Sequence, residues 1–268
     1  MSAAPGADLR ARLQLAHDIL DQTDLIALDV FHSEPRVHAK PDRTLVTDAD
    51  TSIERLIRDR LADACPADGV LGEELGGADE TDATGRLEAR WIVDPIDATH
   101  NFVRRIGVFA TLLAFERGGR LELGLISAPA LGQRWYAARG AGAFLREGGR
   151  ERPIRVSGIG RLDEAHVLHG SLGLSPVADA GLRGLARDAW RNRGFGDFWG
   201  HMLVASGSAE IMVETDLMPW DLAAPAIILE ESGGRLTNFA GVATWRGPEA
   251  VSTNGLLHEV VLARLRHG

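Results

Sequence analysis

The sequence predicts a layered protein of mixed α+β and α/β class, with an antiparallel sheet in its N-terminal part and an α/β arrangement in its C-terminal part. Two observations carry the prediction. From Val108 to Leu145, short apolar segments follow one another with only glycine- or proline-containing turns between them, the pattern of consecutive hairpins. Beyond about residue 152, strand-type and helix-type segments alternate.

Taken in order, Leu9, Leu13, Ala16 and Leu20, with Ile19, Ile26 and Val30, recur at helical spacing and predict a long amphipathic helix over residues 8–31. Residues 33–44 are polar, contain Pro35, Lys40 and Pro41, and read as a loop. Thr47, Asp48 and Asp50 are cap-type residues ahead of a helix whose buried face is Ile53, Leu56, Ile57 and Leu61. Val70-Leu71-Gly72 is a short strand running into Glu73 and Glu74, and residues 79–88 read as a surface loop. Trp91, Ile92 and Val93 are bulky, strand-favouring residues. Pro95 lacks an N–H, so this strand is expected to end at Asp94, with Asp97, Ala98 and Thr99 as the first turn of a short helix. Strands follow at 108–115, 121–127, 134–138 and 143–145. Helices are expected at 178–190, 197–205, 220–231 and 256–265, interleaved with strands at 165–169, 210–214 and 235–238.

A chain of 268 residues can bury a large core in one domain or two. The charged, glycine-rich stretch 147–152 is the expected boundary, giving parts 1–150, carrying the acidic motifs, and 151–268, completing the site. Net charge is −9, from 29 basic and 38 acidic residues, so no basic surface for nucleic acid is offered. No apolar run is long enough for a bilayer, and residues 1–7 lack the apolar core of a signal peptide. The lone Cys65 excludes an intrachain disulfide and a cysteine-based zinc cage, which fits a reducing compartment. Together these features predict a cytoplasmic protein without membrane partners.

The chemistry concentrates at the ends of predicted elements. Glu73 follows one strand, Asp94 and Asp97 flank the proline after another, and Asp221 stands in Met218-Pro219-Trp220-Asp221-Leu222-Ala223-Ala224 at a helix start. Each acid alone could be a helix cap or a solvated strand end. Together they offer hard oxygen ligands beside free helix N–H groups, a place for a divalent cation and a phosphate. No covalent nucleophile is evident, since Cys65 lies outside these motifs and Gly170-Ser171-Leu172-Gly173 only loosely resembles a nucleophile elbow.

Three ordered motifs resemble the inositol monophosphatase family of magnesium-dependent sugar phosphatases. They are Gly72-Glu73-Glu74, Asp94-Pro95-Ile96-Asp97-Ala98-Thr99-His100-Asn101-Phe102, and Trp220-Asp221-Leu222-Ala223-Ala224 running on to Glu231-Ser232-Gly233-Gly234. Leu45-Val46-Thr47 with Asp50 fits as well, and the likeness spans about residues 8–260. The resemblance implies a layered αβαβα sugar-phosphatase fold, two or three Mg²⁺ ions per site, a small phosphate-ester substrate and a homodimer. It implies that Glu73, Asp94, Asp97, Asp221 and the Ile96 carbonyl bind metal. It further implies that Thr99 with Asp50 activates the attacking water, and that the Ala98 and Thr99 amides cradle the phosphate. The resemblance also implies that Glu73 takes part in catalysis as a metal ligand and that Asp221 contacts the substrate. One departure is visible: the family usually has glycine where Ala98 stands.

Arg193-Gly194-Phe195-Gly196-Asp197-Phe198-Trp199 with Met202-Leu203-Val204-Ala205 resembles the branch of that family that hydrolyses histidinol phosphate. Arg134-Trp135-Tyr136-Ala137-Ala138-Arg139-Gly140 and Asn101-Phe102-Val103-Arg104 lean the same way. A site for histidinol, which carries an ammonium and an imidazole, should offer carboxylates, and Asp197 and Glu214 are the candidates. The alternative for Asp197 is an N-cap. For the whole protein the alternatives are an inositol monophosphatase or related sugar phosphatase, or a non-catalytic metal- or phosphate-binding protein.

Overall fold

The computed structural model describes residues 6–33, 37–39, 45–77, 89–171 and 175–267. The loop expected over 79–88, and residues 40–44 with Lys40, lie outside that set. Helices α1 (Ala7–His32) and α2 (Asp48–Ala64) form the first layer. A small antiparallel pair, β1 (Val37–Ala39) and β2 (Leu45–Thr47), leads into α2, so residues 37–39 are strand rather than loop.

The second layer is a seven-stranded sheet in the order β3-β4-β5-β6-β7-β8-β9. Its strands are β3 (Gly69–Gly72), β4 (Ala89–Asp97), β5 (Ala110–Arg117), β6 (Arg120–Ala128), β7 (Gln133–Ala138), β8 (Gly142–Glu147) and β9 (Arg150–Ile154). Only the β3–β4 pair is parallel; the rest is the antiparallel meander that the glycine punctuation implied. The stretch 147–152, where the boundary between the two parts is expected, forms the β8–β9 hairpin, with Gly148 and Gly149 at positive φ in the turn. The first sheet therefore continues to Ile154.

The fourth layer is a five-stranded sheet in the order β11-β10-β12-β14-β13. Its strands are β10 (His166–His169), β11 (Arg191–Gly194), β12 (Ile211–Thr215), β13 (Arg235–Thr237) and β14 (Glu249–Thr253). Helices α5 (Asp197–Ala205) and α6 (Pro219–Glu231) form the third layer, between the sheets. Helix α4 (Pro176–Asp188) and helix α7 (His258–His267) cover the far face of the second sheet. The five layers are thus αβαβα, as expected.

Burial explains the layering. Ile227, Ile228 and Leu229 of α6 and Met202 and Val204 of α5 share one apolar cluster with Leu112 and Ile126 of the first sheet and Met212 of the second. Both faces of α6 meet a sheet, which is why its sequence reads as apolar all round. Ile19, Leu20, Ile53 and Ile57 cover the outer face of the first sheet over Trp91, Phe109 and Phe115. A third cluster joins Leu182, Leu185, Val261 and Leu262 to Val167, Ile211 and Val251. No helix among the described residues is long and apolar enough to cross a membrane.

The short helix α3 (Thr99–Val103) follows β4 directly. Contrary to expectation, β4 does not stop at Asp94. It continues through Pro95 to Asp97, with a register shift against β5 between Asp94 and Asp97. The irregularity accommodates the missing Pro95 N–H, and the Thr111 hydroxyl donates to the Pro95 carbonyl at 2.8 Å.

Candidate active site

The acids converge where the ends of β3 and β4 meet the start of α6. A cavity of about 610 Å³ is lined by Glu73, Asp94, Ile96, Asp97, Ala98, Thr99, Asp197, Glu214 and Asp221, among others. Residues separated by more than a hundred positions in the chain therefore face one space. Asp94, Asp97 and Asp221 each present an oxygen such that all three lie within 4.8 Å of one another.

Two of the acids are anchored by backbone N–H groups. Asp97 Oδ2 accepts the Phe198 N–H at 2.7 Å, so the last residue of β4 is tied to the beginning of α5. Asp221 Oδ2 accepts the Met218 N–H at 2.7 Å at the start of α6. Glu73 stands just past β3, on a turn held by a residue that sequence reasoning passed over. Glu54 of α2 is fully buried and accepts the N–H groups of Glu74 (2.7 Å) and Leu75 (3.2 Å), with the Arg58 Nε at 2.9 Å. Its only sequence signal was an acid on the buried face of an amphipathic helix.

At such distances each pair of charges repels by roughly 3 kcal/mol at an effective dielectric near 20. One backbone hydrogen bond to a charged group is worth about 1.5–3 kcal/mol and does not offset two such repulsions. Burial, with the neighbouring acids adding to it, accordingly holds Asp94 and Asp97 well above the usual carboxylate range. Asp221 is raised to about 7, again chiefly by burial. Asp94 Oδ1 is buried without a hydrogen-bond partner among the described residues. Hard oxygen donors, mutual repulsion and an orphaned buried oxygen fit a divalent cation of the Mg²⁺ or Ca²⁺ type.

Asp50 does not line the cavity. It is fully buried, its Oδ2 takes the Thr47 N–H (2.8 Å) and hydroxyl (2.5 Å), and its Oδ1 has no hydrogen-bond partner among the described residues. Burial raises it to about 6. Thr99 is not hydrogen-bonded to Asp50; its hydroxyl donates to the Ile96 carbonyl at 3.0 Å.

Ala98 is not part of a helical first turn. It adopts the left-handed conformation, φ 63° and ψ 45°, as the residue that turns β4 into α3. Only glycine takes this conformation freely; an L-residue loses roughly 1–2 kcal/mol, whereas glycine costs about 0.4–1 kcal/mol through the unfolded chain. The strain term wins. Ala98→Gly is therefore expected to stabilise the protein by about 0.5–1 kcal/mol, or a melting temperature about 1–4 °C higher, measured by thermal unfolding; a drop would contradict the strain.

Asp197 is not an N-cap. Gly196 occupies that position, no side chain caps α5, and Asp197 itself has φ 57°. Its N–H donates to Glu214 Oε1 at 2.9 Å. Burial and then the Glu214 charge raise its carboxyl to about 6. Asp197 and Glu214 also line a side cavity of about 300 Å³ that opens beside the first, with His100, Ile106 and Phe195 in its wall. The Phe195 ring meets Trp199 edge-on at 4.7 Å. An acidic pair next to an aromatic ring suits a cation attached to a flat or apolar group.

Comparison with known proteins agrees with this geometry. A family model described as the inositol monophosphatase family matches residues 8–267. A histidinol-phosphatase of Mycobacterium tuberculosis is 47% identical over 262 residues, covering 96% of this chain and 98% of the relative. An inositol-1-monophosphatase of Caulobacter vibrioides is 33% identical, covering 87% of this chain and 92% of its own. The solved structure of a Thermotoga maritima IMPase superposes with a TM-score of 0.84 at 28% identity, covering 96% of this chain and 97% of that one.

Proposed function

The chain belongs to the inositol monophosphatase family and is a phosphomonoesterase, and from that premise we propose that it hydrolyses L-histidinol phosphate to histidinol and phosphate in a Mg²⁺-dependent reaction. The observation that carries this reading is the joining of two acidic groups in one space: Asp94, Asp97 and Asp221 on one side, Asp197 and Glu214 on the other.

In this reading Glu73, Asp94, Asp97, Asp221 and the Ile96 carbonyl would hold Mg²⁺. Bound there, it would supply positive charge to offset that of the ester's oxygens and to favour ionisation of a water. The Ala98 and Thr99 amides receive the phosphate at the start of α3. Thr99, lining the cavity, orients the water, and Asp50, raised to about 6 by burial, is suited to accept the water's proton by way of the Thr99 hydroxyl. The water oxygen bonds to phosphorus as the bond to the alcohol oxygen breaks; the leaving alkoxide takes a proton from solvent in the open cavity, and Asp50 later returns the proton it accepted to solvent. The histidinol moiety occupies the side cavity, its ammonium facing Asp197 and Glu214 and its imidazole near Phe195.

Inositol phosphate is neutral at its organic end and does not require this acidic pair, although an acidic pocket does not exclude it. Side-by-side turnover of both esters with Mg²⁺ tests the assignment. A clear preference for histidinol phosphate is expected; equal rates, or preference for inositol phosphate, would remove it. Asp197→Asn should raise KM for histidinol phosphate about tenfold, one charge-assisted contact at about 1.4 kcal/mol, and that of a neutral ester much less. An equal effect on both would take Asp197 out of substrate recognition.

A further inference from the structure

Behind Glu214 lies a buried chain of polar groups that the hydrolysis itself does not use. His201, on the second turn of α5, is 1% exposed, and its Nε2 lies 3.3 Å from Glu214 Oε2. The two atoms approach without the alignment of a hydrogen bond, and neither has a hydrogen-bond partner among the described residues. On the other side of the ring, Nδ1 lies 2.7 Å from the hydroxyl of Ser252, which is fully buried in β14. Glu214 Oε1 is taken by the Asp197 N–H. Its carboxylate is also wedged against backbone. A Cβ on Gly170 would come within 2.3 Å of Oε1, and so would one on Gly196. The two glycines thus permit the close approach that seats this acid.

The ring can serve both neighbours in one tautomer. If the Ser252 hydroxyl donates to Nδ1, the ring proton resides on Nε2, the nitrogen that lies nearest Glu214. A buried carboxylate oxygen and a buried ring N–H without other partners each incur a large desolvation penalty unless they meet. A small turn of the ring or of the carboxylate joins the two and sets which way the carboxylate faces in the wall of the side cavity.

We propose that His201, backed by Ser252, is a positioning residue: it orients Glu214 towards the substrate's ammonium and so sets the preference for cationic over neutral phosphate esters. The proposal rests on the histidinol phosphate reading of the same site. His201 touches neither the reacting phosphate nor the acids at the metal site; it acts through Glu214.

Two variants of similar size separate positioning from packing. In His201→Gln the amide nitrogen replaces Nε2 and can still donate to Glu214. In His201→Asn the amide replaces Nδ1, keeps Ser252 within reach and leaves Glu214 without its donor. Both remove ring volume, so a purely structural role predicts similar damage from both. The measurement is KM and kcat for histidinol phosphate and for glycerol 2-phosphate, a neutral-alcohol ester, at saturating Mg²⁺, with melting temperatures recorded alongside. The expected result is a rise of about tenfold in KM for histidinol phosphate in His201→Asn, with kcat and the glycerol phosphate constants within about twofold of the parent, and largely restored KM in His201→Gln. Equal losses on both esters, or identical behaviour of the two variants, would overturn the positioning role while leaving the substrate assignment standing. A parent enzyme with no preference for histidinol phosphate would instead overturn the substrate assignment, and this proposal with it. Should both histidine variants fold poorly, Ser252→Ala is expected to shift KM in the same direction by a smaller factor, and no shift there would count against the relay.

Discussion

Asp97→Asn is expected to cut turnover by at least about a thousandfold, roughly 4 kcal/mol of barrier, while making the metal-free protein more stable. The two effects have one cause. Asp97 is buried, faces Asp94 and Asp221, and ionises only against burial and repulsion. An asparagine keeps an oxygen to accept the Phe198 N–H, so the tie between β4 and α5 survives. What disappears is a charge that helps nothing until a cation arrives. The phosphate-release assay and the melting curve in EDTA should therefore move in opposite directions. A variant that loses activity because it unfolds would show both falling, and that outcome would contradict the role given to Asp97.

Removing divalent metal is expected to destabilise the protein, and more so at pH 8 than at pH 6. The folded-state pKa values of the site acids are raised: to about 6 for Asp197, about 7 for Asp221, and well above the usual range for Asp94 and Asp97. A carboxyl in the unfolded chain titrates near pKa 4. Between these values the folded protein holds protons that the unfolded chain releases, so stability is greatest below about pH 4 in this contribution and falls as pH rises through 6 and 7. A cation replaces those protons and reverses the trend. At a hundred times its dissociation constant, Mg²⁺ contributes about 2.7 kcal/mol, a rise of about 5–10 °C in melting temperature for a chain of this size. A Mg²⁺ increment that is absent, or larger at pH 6 than at pH 8, would contradict the description of the site.

Much of this site was legible in the sequence because its acids sit at element ends, next to residues with strong local signals. Pro95 and Pro219 mark the turns, and the apolar runs before Glu73 and Asp94 mark the strands. The elements that escaped prediction lack such signals. β11 is Arg191–Gly194, wholly polar and exposed, and exists because it pairs with β10 at a sheet edge. β14 is central and buried but contributes only Ala250 and Val251 as apolar residues, too short a run to declare a strand. The conformation of Ala98 was hidden for another reason: nothing local to an alanine announces positive φ, and only the geometry joining β4 to α3 imposes it. Glu54 and His201 were missed because a buried polar side chain on a helix face is distinguishable from a surface one only when its partners, here the backbone after β3 and Glu214, are known.

The central claim is that Asp94, Asp97 and Asp221 grip a divalent cation in a cavity shared with Asp197 and Glu214. Crystals grown with Mn²⁺ in place of Mg²⁺, measured at the manganese absorption edge, test it most directly. The account predicts an anomalous peak within coordination distance of all three aspartates, lost in Asp97→Asn; a site that stays empty at millimolar Mn²⁺, or manganese bound elsewhere, would contradict it.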